Sequence, residues 1–155
     1  MEACKTFLKQ LSEMPETVVS IFSFDDVTFD LCVEAPASEA ILKIDKLTMG
    51  GKGTNFRKAI ERVIGLITEA SEMRKNFINC LLFFSDGDAE FPDVELEKFL
   101  QVKNSGKHIL LFSITCENDE DESMQKMAVL MNGDHYKTTN SNALRQIFQK
   151  ILTLT

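Results

Sequence analysis

Apolar positions along this chain fall into runs that repeat every three or four residues, which read as helices, and runs that are continuous or β-branched, which read as strands. Residues 1–11 are of the first kind. Cys4, Phe7, Leu8 and Leu11 share one side, with Glu2, Lys5, Lys9 and Gln10 opposite. Residues 12–15 end that helix, and β-branched, aromatic stretches follow at residues 17–24 and 27–33. Only Asp25-Asp26 separates them, so they form an antiparallel hairpin. Residues 35–38 read as a loop, with Ser38 as candidate cap of a short helical stripe of Ala40, Ile41, Ile44 and Leu47. Residues 49–53 are glycine-rich, and Thr54-Asn55 then opens the longest helical pattern, whose buried face is Phe56, Ala59, Ile60, Val63, Ile67 and Ala70.

Residues 77–88 are organised differently. Phe-Ile-Asn-Cys-Leu-Leu-Phe-Phe-Ser-Asp-Gly-Asp is an apolar run that stops on a hydroxyl, an acid and a glycine. Such a run predicts an internal strand at residues 77–85 covered on both faces by Ile78, Leu81, Leu82, Phe83 and Phe84. Asp93 is the candidate cap of a helix carrying Leu96, Phe99 and Leu100, stopped by Ser105-Gly106. Residues 108–115 form a second fully apolar strand. A methionine stripe (Met124, Met127, Met131, with Ala128) closes at Asn132-Gly133. Residues 134–138 are a short strand around Tyr136, and Asn140 or Ser141 caps a last helix with Leu144, Ile147, Phe148, Ile151 and Leu152 on one face. Strands alternating with helices predict an α/β fold: a mostly parallel sheet covered on both sides, with one antiparallel hairpin.

At 155 residues with 44% hydrophobic content and 3 prolines, the chain has the size and composition of one folded domain. Its net charge of -7 argues against nucleic acid or an anionic membrane as the main partner. The cysteines, Cys4, Cys32, Cys80 and Cys116, lack zinc-knuckle spacing and lie mostly in apolar stretches. They read as small buried hydrophobes in a reducing, cytoplasmic setting. No apolar run is long enough to cross a bilayer, and no signal-peptide pattern is present.

Candidate chemistry is sparse. Gly50-Gly51-Lys52-Gly53-Thr54 lacks the lysine-before-hydroxyl spacing of a phosphate loop. His108 and His135 each border a strand, where a hydrogen-bonded histidine is the ordinary case. The acids of residues 117–122 suit a helix start. That leaves a hydroxyl at a loop-to-helix junction, Thr54, and a carboxylate at a strand end, Asp86. Both are expected at the carboxyl edge of one sheet, where open α/β folds place ligands. They are hard oxygen donors of the kind Mg2+ accepts. The bland alternative makes Thr54 a helix cap and Asp86 a turn former.

The stretch from Gly50 through Thr54-Asn-Phe-Arg-Lys-Ala-Ile, followed by Leu-Leu-Phe-Phe-Ser-Asp86-Gly, resembles the von Willebrand factor type A domain. The likeness continues through residues 108–115, the Tyr136 strand and the closing helix. It implies a three-layer, doubly wound, Rossmann-like sheet of strand order 3-2-1-4-5-6, with the third strand an antiparallel edge. It also implies a metal ion-dependent adhesion site that binds a partner protein through the partner's acidic group. The family's first strand and its Asp-x-Ser-x-Ser motif have no counterpart here. Of the family's metal ligands only Thr54 and Asp86 are matched, so Mg2+ would be held weakly.

The expectation is therefore a non-enzymatic protein-interaction module, one domain over residues 1–155, with a degenerate metal site. Its partner surface would be Asp25, Asp26, Gly53, Ser85, Asp88 and Glu90 around Thr54 and Asp86. The alternative is a metal-independent assembly subunit that associates through an exposed sheet edge. Without the first strand, the segments at residues 17–24 and 77–85 have three options: pairing directly, taking a strand from a neighbouring chain, or receiving one from sequence upstream.

Overall fold

A computed structural model describes residues 2–14, 16–47, 53–69, 78–85, 89–116 and 122–154. Helix α1 (Glu2–Leu11) leads into strands β1 (Val18–Phe24) and β2 (Thr28–Pro36), which pair antiparallel with Phe24 opposite Thr28 and Val18 opposite Pro36. Asp25 makes the turn, its Oδ1 accepting the Val27 N–H at 2.9 Å. Val27, predicted to begin the second strand, belongs to this turn and is 50% exposed. Helix α2 (Ala37–Lys43) starts directly from β2 with Pro36 at its cap position and no side-chain capping bond. Ser38 thus lies inside the helix, not before it. Proline's fixed φ lets the chain turn from strand to helix without a loop.

A 3-10 turn (Ile44–Lys46) precedes helix α3 (Phe56–Glu69). Strands β3 (Asn79–Ser85), β4 (Ile109–Cys116) and β5 (Asp134–Thr138) form a parallel sheet, with Asn79 beside Ile109, Ser85 beside Thr115 and Cys116 beside Thr138. Helices α4 (Asp93–Asn104), α5 (Glu122–Leu130) and α6 (Ser141–Leu154) complete the order. Asp93 is the first residue of α4, with Pro92 at the cap. Asn140 caps α6, its Oδ1 accepting N–H groups from Asn142 at 3.1 Å and Ala143 at 2.9 Å. Helix α5 closes as predicted: Asn132 adopts φ 50° and the Gly133 N–H reaches the Ala128 carbonyl at 2.9 Å. A side chain at Gly133 would put its Cβ 2.5 Å from the Leu111 carbonyl oxygen, so only glycine fits.

The layers follow from which way each strand residue points. On one face Phe83, Ile109 and Leu111 pack against Phe56, Ala59, Ile60 and Val63 of α3, Leu96 and Phe99 of α4, and the methionines of α5 and its C-terminal turn. On the other, Phe112 and Ile114 pack against Ala3 and Phe7 of α1 and Ile147, Phe148 and Ile151 of α6. A third cluster joins Leu8 of α1 to β1, β2 and α2. The result is the α/β three-layer arrangement anticipated from the alternation of strands and helices.

The sheet is divided. Among the described residues β1 is hydrogen-bonded to β2 and β3 to β4, while β1 and β3 are not bonded to each other. Among the described residues, therefore, direct pairing of β1 with β3 does not occur. The consequence shows in β3, expected to be covered on both faces. Phe83 is its one fully buried residue, and Ile78 just before it is 57% exposed. Strand β4, with a neighbour on each side, is buried at nearly every position.

Candidate functional site

The carboxyl rim is assembled by three phenylalanines. Phe24 ends β1, Phe56 begins α3, and Phe83 lies near the end of β3. Their ring centroids are 5.2 Å (Phe24–Phe83), 5.4 Å (Phe56–Phe83) and 6.2 Å (Phe24–Phe56) apart. This cluster sets the turn after β1, the loop before α3 and the tip of β3 on one side of the molecule. The loop before α3 also runs against the hairpin turn, since a Cβ built on Gly53 would lie 3.1 Å from the Asp26 Oδ1.

Thr54 sits just outside α3. The cap is Asn55, whose Oδ1 accepts the Lys58 N–H at 3.2 Å and whose carbonyl accepts the Ala59 N–H at 3.3 Å. Thr54 is therefore not used to close the helix, and its half-buried side chain has no hydrogen bond among the described residues. Ser85 closes β3, half-buried beside Thr115. Glu90 projects into solvent and pairs with Arg57 at 2.6 Å, tying the loop after β3 to the first turn of α3. Ser123 of α5 donates to the Ala89 carbonyl at 3.3 Å, and the Lys126 ammonium stands 4.0 Å over the Phe91 ring, so α5 holds the same loop from its other side. Asp25 is engaged in its own turn and Asp26 is exposed. Asp86 and Asp88 lie outside the described residues.

Two features of this rim were not singled out from the sequence. Arg57 looked like one more polar helix residue, and its partner Glu90 is far away in sequence. Thr115 ends an apolar strand in register with Ser85, so both hydroxyls share one face at the sheet edge. Its Oγ1 is buried with no hydrogen-bond partner among the described residues. The strand position was legible, but the isolation of the hydroxyl depends on packing.

Elsewhere the chemistry is structural. Ser113 Oγ lies 2.8 Å from His135 Nδ1, which superficially suggests a nucleophile and base. Ser113 is 0% exposed and also donates to the Met124 carbonyl at 3.5 Å, so no substrate reaches it. Met124, Met127 and Met131 are all 0% exposed and form core, as expected. Burial pushes the Cys4 and Cys32 thiols above their ordinary pKa, which suits packing residues, but Cys80 is exposed on β3, so the expectation of four buried cysteines does not hold there. Among the described residues no three His, Cys, Asp or Glu side chains converge as a metal-binding group. The described residues on the elements that end at this rim include the Thr54 and Ser85 hydroxyls and the Asp26 carboxylate, oxygen donors of the type a hard cation takes.

Comparison with known proteins places this arrangement. Among curated proteins none matches the chain. BatB from Bacteroides thetaiotaomicron superposes with a TM-score of 0.73 at 16% identity, over 99% of this chain and 87% of that one. An aerotolerance-related membrane protein from Bacteroides fragilis gives 0.68 at 14% identity, over 99% and 88%. Proximal thread matrix protein 1 from the mussel byssus gives 0.70 at 14% identity, over 99% of this chain and 40% of the longer one; another structure of it has a zinc-occupied MIDAS motif. At these identities the likeness is one of fold. No helix among the described residues is long and apolar enough to cross a membrane. The sequence itself matches the von Willebrand factor type A domain over residues 2–150, and with that match the chain belongs to this family of protein-interaction modules.

Proposed function

We propose that the domain is a non-enzymatic protein-binding module whose partner surface is the carboxyl rim. Thr54 and Asp86 would hold a divalent cation there, Mg2+ being the type suited to their oxygens. Gly53, Asp25, Asp26, Ser85, Asp88 and Glu90 would meet the partner. The observation that carries this reading is the division of labour at α3: Asn55 caps the helix, leaving the neighbouring Thr54 hydroxyl available at its mouth. A bound cation would supply open coordination positions for an acidic group of the partner protein. With few matched ligands it would be held weakly. Cys4, Cys32, Cys80 and Cys116 are all free thiols, which supports a reducing, cytoplasmic setting, and the net charge of -7 favours neither nucleic acid nor membrane.

The test is calorimetric titration with MgCl2 of the native chain, Thr54→Ala and Asp86→Ala. Binding in the native chain, lost in each variant at unchanged melting temperature, is the expected result. Heats that survive both substitutions would move the cation away from this rim. A second reading, metal-independent assembly through a sheet edge, is favoured by the half-exposed β3. It predicts concentration-dependent association that is indifferent to chelator.

A further inference from the structure

We propose that the groove between α4 and α5 is a docking site for a partner protein. It takes a short amphipathic helix that seats one large apolar side chain in the groove, with a lysine or arginine one turn away. The site uses no cation and lies in the helical layer, apart from the rim reading.

The groove arises from apolar residues that the core does not use. Helix α3 shows the ordinary pattern, burying Phe56, Ala59, Ile60, Val63 and Ile67 while Arg57, Lys58 and Glu61 are exposed. Helices α4 and α5 depart from it. The first buries Leu96 and Phe99, yet its Val94 is 59% exposed and Leu100 only half-buried. The second buries Met124, Met127 and Ala128, yet Val129 is 77% and Leu130 46% exposed. Phe91, Leu96, Leu100 and Leu130 line one groove together with Asp93 and Glu97, and its volume is about 180 Å3. Small-molecule sites occupy about 300–1,000 Å3, so this one suits a side chain and not a cofactor.

The groove is preformed. Its floor, Leu96, is held by the core at 2% exposure. Towards the rim, Lys126 stands 4.0 Å over the Phe91 ring and Ser123 donates to the Ala89 carbonyl. At the far end, Lys103 of α4 donates to the Met131 carbonyl just after α5. Both banks are therefore fixed before anything binds, and an occupant bears little of the ordering cost.

Charge selects the occupant. Asp93 and Glu97 stand one turn apart along α4, both exposed, and among the described residues neither carboxylate forms an ion pair. A lysine or arginine on the incoming segment supplies the missing counter-charge. The same carboxylates disfavour a second copy of this chain, with its net charge of -7, and an anionic membrane. An amphipathic helix places an apolar residue and a basic one a turn apart on one face, which matches floor and bank together.

The test is selection from a random peptide display library on the full chain in EDTA. Enriched peptides should carry leucine, isoleucine, methionine or phenylalanine with lysine or arginine one turn away. Leu130→Lys should weaken their binding about ten-fold or more, and Glu97→Lys about two- to five-fold. Both positions are exposed, so melting temperatures should not change. Enrichment of acidic sequences, no enrichment, or equal binding to Leu130→Lys would each overturn the proposal. So would self-association of the native chain that Leu130→Lys abolishes, since that gives the groove to a second copy. Because EDTA is present throughout, failure of the cation site leaves this result unaffected, and failure here leaves the MgCl2 titration unaffected.

Discussion

Thr115 is 1% exposed, and its hydroxyl has no partner among the described residues, so burying it costs free energy that a methyl would not. Thr115→Val keeps the branched shape and removes the orphan. We expect it to raise unfolding stability by about 1 kcal/mol in a urea melt; a lower midpoint would show that the hydroxyl has a structural task. Asn140 is the opposite case. It accepts from both Asn142 and Ala143, so Asn140→Ala should cost about 1 kcal/mol in the same melt. Caps were legible in the sequence only to within adjacent formers: Asn140 and Ser141 differ by one position, as do Thr54 and Asn55, and only the helix's first hydrogen bonds decide between them. Ser38 misled because Pro36 made the turn first.

At the scale of elements, the hairpin is fastened to α3 by Arg62. Its Nε lies 2.9 Å from Asp30 Oδ1 and one terminal nitrogen 2.7 Å from Oδ2, a two-pronged pair. The Asp30 carboxylate holds the guanidinium above its ordinary pKa. A double-mutant cycle of Arg62→Ala and Asp30→Ala should give a coupling of about 0.5–1 kcal/mol, reduced in high salt; zero coupling would make the contact incidental. Gly133→Ala should cost about 1–3 kcal/mol through the clash with Leu111, seen as a lower melting temperature. Element identity was readable for nearly every segment because period and turn residues are local. The exposure of β3 was not, since a strand's burial depends on neighbours distant in sequence. Its apolar run specifies a central strand, while among the described residues its ladder partner is β4.

For the whole molecule, the proposed function depends on loops from different parts of the chain sharing one rim. The sequence allowed Thr54 and the end of β3 to be placed at the carboxyl edge, since parallel strands end there. The phenylalanine cluster and the Arg57–Glu90 pair that bring those loops together are non-local and could not be read from spacing. Lys103 donating to the Met131 carbonyl is a similar tie between α4 and the end of α5. The most direct test of the rim is titration of the isotope-labelled chain with Mn2+, a paramagnetic stand-in for Mg2+, followed by amide NMR. The account predicts that resonances of Asp26, Gly53, Thr54, Asn55 and Ser85 broaden first and together, and recover with excess Mg2+. Broadening centred elsewhere, such as on the acids of residues 117–122, or none at all, would contradict it.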